Sequence, residues 1–166
     1  MHRPLGLLTV AAALTTFAAP MSTAQAVTPS SSAAAVGTAR ENTVVRLVNA
    51  RRAKKKGCRA LKHHPQLHRA AHAHAADMAV HGYFSHDSRD GRGYIDRVKA
   101  AGYKRGGRWA ELLGKGQRTP AVIVRSWMND PGSKASLMNC KFTYTGVGAV
   151  EDANGVIVWT QLFATK

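Results

Sequence analysis

The sequence predicts an α+β domain in which about four helices pack on a small antiparallel sheet. Three observations lead there. Apolar residues at helical spacing recur through the first two-thirds of the domain, between Val44 and Trp127. The remainder turns strand-like: Tyr144 to Glu151 alternates, and Val156 to Phe163 is rich in β-branched and aromatic residues. Between these runs stands Asn154-Gly155, a strong hairpin turn signal. With helices first, a hairpin last and no internal repeat, segregated layers are expected rather than a doubly wound sheet.

An export signal precedes the domain. His2 and Arg3 make a weakly basic start, Leu5 to Ala19 is apolar, and Ala24-Gln25-Ala26 has the form of a cleavage site. Residues 1–26 therefore read as a secretory signal peptide, because the apolar run is short for a membrane span. An uncleaved anchor is the competing reading. Residues 27–38 include a tract rich in Ser, Ala and Thr with little apolar content to pack, and read as a flexible leader. Residues 39–166 then form one domain, since the roughly 140 residues after the signal suffice for a single core and not for two. A secreted, extracellular monomer is expected.

Thr38 and Glu41 fit a capping box, and Val44, Val45, Leu47, Val48 and Arg51 follow at helical spacing. The first helix is expected over 39–55, ended by Gly57 and Cys58. Pro65 suits the first position of a second helix whose inner face holds Leu67, Ala71, His74, Ala75 and Met78, with Gly82 ending it. Alanines at 70, 71, 73, 75, 76 and 79 imply close packing on a neighbour. Histidines concentrate here. His64, His68 and His72, spaced by four, would set imidazoles along one side as zinc ligands do. The helix carries only Asp77 as a local carboxylate, on a different face, so solvated histidines are the simpler reading. His74, on the apolar stripe, is expected to be a hydrogen-bonded core residue.

Next comes the stretch Tyr83 to Gly91, where two aromatics are expected to dock a loop that presents His86. Tyr94, Ile95, Val98 and Ala101 make a short third helix ended by Gly102. Trp109 to Gly114 is a possible strand containing Glu111, the only acidic residue between Asp96 and Asp130. Such a lone carboxylate needs a partner if buried. Thr119-Pro120 starts a fourth helix with Val122, Ile123, Ser126 and Trp127 inward, and Asp130-Pro131-Gly132 is read as its end.

Lys and Arg number 24 against nine Asp and Glu, a formal charge of +15. The densest run is Arg51, Arg52, Lys54, Lys55, Lys56, Arg59 and Lys62, read as a surface patch. Such a patch suits anionic cell-wall polymers, anionic lipids or nucleic acid, with a solvated face as the simpler reading; a small ligand is a further candidate partner. No aromatics alternate with it, so stacking on single-stranded nucleic acid has no support. The two cysteines, Cys58 and Cys140, are expected to form one disulfide.

Six stretches in order carry a resemblance. They are Leu47-Val48-Asn49-x-x-Arg52, His74-Ala75-x-Asp77-Met78-Ala79, Phe84-Ser85-His86, Trp127-Met128-Asn129-x-Pro131-Gly132, Phe142-x-x-x-Gly146-Val147-Gly148 and Trp159-Thr160-Gln161-x-Phe163. Together, over about residues 40 to 164, they resemble the bacterial branch of the CAP superfamily, whose module is also called the SCP domain. The resemblance implies an α-β-α sandwich, secretion, and a cleft that in some members holds a divalent metal between two histidines and one or two glutamates. His86 matches the first histidine and Glu111 the glutamate of a Gly-Glu-Asn motif, here flanked by Ala110 and Leu112. Ser133 stands where the second histidine follows Pro-Gly. Asn129 and Asp130 match the remaining acidic position loosely, and Leu162 replaces a usual aspartate.

His86, Glu111, Ser133 and Asp130 are thus the expected cleft residues. A catalytic zinc generally needs three protein ligands, and His86 with Glu111 supplies two. The expectation is no resident cofactor, or weak zinc binding at most. His86, Glu111 and Ser133 are also the residue types of a serine-hydrolase triad, though no nucleophile-elbow sequence accompanies them. A non-catalytic binding module is the reading preferred over an extracellular hydrolase or a basic adhesion module.

Overall fold

The computed structural model describes His2 and residues 35–166, so the expected signal peptide and most of the leader lie outside the described residues. In chain order the elements are α1 (Ala39–Arg52), β1 (Lys62–His63), α2 (Pro65–His81), α3 (Tyr94–Ala100), β2 (Trp109–Lys115), α4 (Pro120–Asn129), α5 (Pro131–Leu137), β3 (Tyr144–Glu151) and β4 (Ile157–Ala164). The strands form one sheet in the order β1-β3-β4-β2. β4 pairs antiparallel with both neighbours, placing Glu111 opposite Leu162 and Gly146 opposite Leu162 on the other side. β1 runs parallel to β3, Lys62 against Tyr144, so the sheet is mixed. The fold is the expected α+β sandwich, with two elements the sequence hid, β1 and α5.

Every residue of β4 is buried, because helices cover both faces. Ile157, Trp159 and Phe163 meet Val44, Val48, Ile123, Trp127 and Leu137 from α1, α4 and α5. Leu162 and Ala164 meet Leu67, Ala71 and Val98 from α2 and α3. On that second face the seam is tight. A Cβ on Gly146 would lie 2.1 Å from the Leu67 carbonyl carbon, and one on Gly148 2.5 Å from the Ala71 carbonyl oxygen. The glycines of β3 and the alanines of α2 let two backbones touch where side chains would hold them apart.

α1 opens with the capping box: the Thr38 amide donates to Glu41 Oε2 at 2.7 Å, and the Glu41 amide to Thr38 Oγ1 at 3.2 Å. It stops at Arg52 rather than Lys55, as Lys54 and Lys55 bond the carbonyls of Arg51 and Arg52 in tight turns of 3.2 and 2.9 Å. Arg52 is also not part of the basic surface. Its side chain is fully buried and donates to the carbonyls of Arg59, Leu137, Asn139 and Phe142 at 2.8–3.1 Å. Carbonyl dipoles, two of them from the end of α5 and the turn after it, replace the carboxylate that a buried cation ordinarily requires. The patch is therefore Arg51, Lys54, Lys55, Lys56, Arg59 and Lys62, all exposed. Cys58 and Cys140 are joined, with Cα atoms 4.6 Å apart across a sequence separation of 82. Asn49 bonds both backbone groups of Leu61, at 2.8 and 2.9 Å, acting as a short substitute strand.

Candidate functional site

The Tyr83–Gly91 loop is held from beneath by α2. His74 is buried, and its Nε2 donates to the Ser85 carbonyl at 2.9 Å. Burial, and next the Arg97 charge, lower the His74 pKa from the ordinary range, in keeping with a neutral ring. The phenol of Tyr83 donates to Asp77, whose carboxylate also pairs with His81 at 2.9 Å. Of the two aromatics only Tyr83 docks the loop. Phe84 is 49% exposed and lines the cleft, because its neighbour Ser85, bonded to His74, already ties the backbone down.

β2 presents Glu111 on the α2/α3 face, where its side chain is fully buried. Oε1 accepts from His86 Nδ1 at 2.9 Å and Oε2 from Arg97 Nη2 at 2.7 Å. Arg97 donates further to Ser88 Oγ at 3.0 Å and the Arg92 carbonyl at 2.9 Å. The lone carboxylate thus has a partner that local sequence did not name. Its signal was a cation on the inner side of α3, three residues after Tyr94. With Nδ1–H turned to Glu111, the neutral His86 ring keeps Nε2 as an acceptor, and its side chain is 59% exposed.

Phe84, Ser85, His86, Glu111, Leu112, Leu113 and Ser133 line a cleft of about 240 Å³. Ser133 sits in the first turn of α5, its amide donating to Asp130 Oδ1 at 2.7 Å. Asp130 itself is exposed and caps α5; it does not line the cleft. That backbone bond holds the Asp130 carboxyl below its usual range. A zinc ion does not fit this donor set: His86 is the one imidazole lining the cleft, the Arg97 cation holds Oε2 of Glu111, Ser133 is neutral, and Asp130 faces a backbone amide.

Behind the Glu111–Arg97 pair lies a larger cavity of about 450 Å³. Arg69, Arg89, Arg92 and Arg97 line it with Asp77 and Asp90, over a floor that includes Ala70, Ala73, Ala100 and Ala101. His74 also lines it, and its Nδ1 has no hydrogen-bond partner. The histidine row on α2 divides. His64 caps the helix and packs edge-on against Tyr103 and Tyr144, while His68 and His72 turn to Glu41 of α1, at 3.0 and 2.8 Å.

Comparison with known proteins agrees with this architecture. The model of the CAP family, the cysteine-rich secretory protein family, matches residues 45–163, and the chain belongs to that family. The Bacillus subtilis protein YkwD is 37% identical over 146 residues, covering 87% of this chain and 54% of YkwD. An extracellular protein containing a SCP domain from Bacillus anthracis superposes with a TM-score of 0.69 at 25% identity, over 76% of this chain and 40% of that one. An outer surface protein of Borrelia burgdorferi shares the fold, with a TM-score of 0.67 at 18% identity over 75% of this chain and 91% of its own. The chain spans about half the length of YkwD and less of the Bacillus anthracis protein.

Proposed function

We propose that the chain is an exported, non-catalytic binding module that takes an anionic ligand on the Glu111–Arg97 platform. Export is supported by the signal-like residues 1–26, by the disulfide, and by the description of relatives as extracellular or outer-surface proteins. One observation carries the binding reading. Glu111 uses both oxygens to hold the Arg97 guanidinium and the His86 ring, so it positions those two donors rather than activating water or a metal.

The arginine cavity sets the ligand class. Arg92 pairs with Asp90, Arg97 with Glu111, and Asp77 with His81. Among the described residues, Arg69 and Arg89 line the cavity without an ion pair. Guanidinium groups suit phosphate or carboxylate, and the alanine floor suits an attached apolar portion. Calorimetry with dodecyl phosphate and inorganic phosphate tests this. The expected result is salt-sensitive binding of dodecyl phosphate, weakened about tenfold or more by Arg69→Ala with Arg89→Ala. Binding that ignores both substitutions and disappears when Arg51, Lys54, Lys55, Lys56, Arg59 and Lys62 are neutralised favours the adhesion module instead.

The His86–Glu111 pair beside Ser133 supports a second reading, a hydrolase with an oriented base. Fluorophosphonate labelling of Ser133 that is lost in His86→Ala would establish it over the binding module.

A further inference from the structure

Glu41 is the most completely satisfied carboxylate in the described structure, and none of its partners belongs to the cleft. Oε1 accepts from the Ala149 amide at 3.0 Å and faces His72 Nδ1 at 2.8 Å. Oε2 accepts from the Thr38 amide at 2.7 Å and faces His68 Nε2 at 3.0 Å. A carboxylate oxygen has two lone pairs. On each oxygen the backbone of α1's cap or of β3 fixes one, and an imidazole nitrogen takes the other. Two amides thus lock the carboxylate in place before any ligand arrives.

From these contacts we infer that Glu41, His68 and His72 form a binding site for a divalent cation of the zinc class. The three donor atoms lie within 4.8 Å of one another. Bonds of about 2.0–2.1 Å in a tetrahedron place ligand atoms about 3.3 Å apart, so side-chain adjustments of about an ångström would seat an ion. Two imidazoles and one carboxylate make the His₂Glu donor set, whose fourth position is left to water. That position is reachable, since the His68 and His72 side chains are 22% and 43% exposed while Glu41 is at 0%. The spacing of four on α2 sets the two rings on adjacent turns, and Glu41 comes from another helix, so the ion joins α1 to α2.

Binding requires only that each ring present a lone pair. The proton now shared with Glu41 is released from a charged ring, or moves to the other nitrogen of a neutral one. Nearby His63 is not a ligand: its Nε2 accepts from the Val147 amide at 3.3 Å and its Nδ1 donates to Asn42 Oδ1 at 2.9 Å. Imidazole and carboxylate donors favour zinc, nickel or copper over magnesium or calcium. With three ligands from two helices, the ion would act as a clamp on the α1–α2 junction.

The test is calorimetric titration of zinc chloride into the untagged, chelator-treated chain, with thermal unfolding measured in parallel. One equivalent is expected to bind with micromolar or tighter affinity and to raise the melting temperature. Cobalt is expected to give the intense visible absorption of a tetrahedral site. His72→Ala, at a half-exposed position that leaves folding intact, should weaken binding at least about tenfold, as should His68→Ala, while His86→Ala leaves it unchanged. No zinc binding, or binding that survives His72→Ala and His68→Ala, overturns the site. So does binding lost only in His86→Ala, which would place the ion in the cleft.

Discussion

His74 donates across 2.9 Å to the carbonyl oxygen of Ser85, and the next residue is His86. A buried imidazole in the α2 layer thereby sets the position of an exposed one. His74→Leu removes the donor and is expected to cost about 1–3 kcal/mol in urea unfolding. It should also speed hydrogen exchange in residues 83–91. His74→Gln, which keeps a donor, should restore part of that protection. Unchanged exchange in His74→Leu would show that the loop is held by other contacts.

Arg52 satisfies four carbonyls in the closure between α1, α5 and the start of β3. Arg52→Lys keeps the charge but loses the planar fork, and is expected to lower unfolding free energy by about 2–4 kcal/mol. Arg51→Lys, on an exposed neighbour, should change it by less than about 0.5 kcal/mol. Equal effects would mean that the buried network contributes nothing beyond surface charge.

The Tyr83 phenol is pushed up to about 12, by burial first and then by its bond to Asp77 and the charge there. In the unfolded chain a tyrosine ionises near pH 10. The folded chain therefore holds this proton where the unfolded chain releases it, and stability falls as pH rises from about 10 toward 12. Below pH 10 both states are protonated and the contribution is complete. The chain has four tyrosines. Absorbance at 295 nm should show a late-titrating phenolate that vanishes in Tyr83→Phe, and that variant should lose less stability over the same range. An unaltered titration in Tyr83→Phe would contradict the assignment.

Gly146→Ala forces a methyl to within 2.1 Å of the Leu67 backbone. Backbone on both sides leaves nothing flexible to yield, so a loss of at least about 3 kcal/mol is expected by chemical denaturation. Gly155→Ala meets no atom within 4 Å and carries only the strain of its positive φ of 74°, a smaller cost by the same measurement.

Elements with local signals were legible in the sequence. Thr38 with Glu41, Pro65, Gly82 and Thr119-Pro120 mark helix ends where the structure has them, since caps are satisfied within a few residues. Asp130-Pro131-Gly132 was ambiguous: Asp130 ends α4 and also caps α5. β1, at two residues, has no periodicity to detect. The site pairings were hidden by distance along the chain. Local reading could ask for a partner to Glu111 but could not name Arg97, 14 residues earlier. Their own helix offers His68 and His72 only Asp77 as a carboxylate, while the one they face is Glu41, 27 residues before His68. Arg52 is indistinguishable by sequence from the surface patch, because a buried and a solvated arginine look alike within a basic run.

β4 follows every other element in the chain, yet it occupies an interior place in the sheet. β2 hydrogen-bonds to no other strand among the described residues, so Glu111 has no fixed station until residues 157–164 arrive. Assembly of the cleft therefore depends on β4 being in place. A chain truncated before Ile157 could form α1 and α2 and still lack the meeting of His86, Glu111 and Arg97.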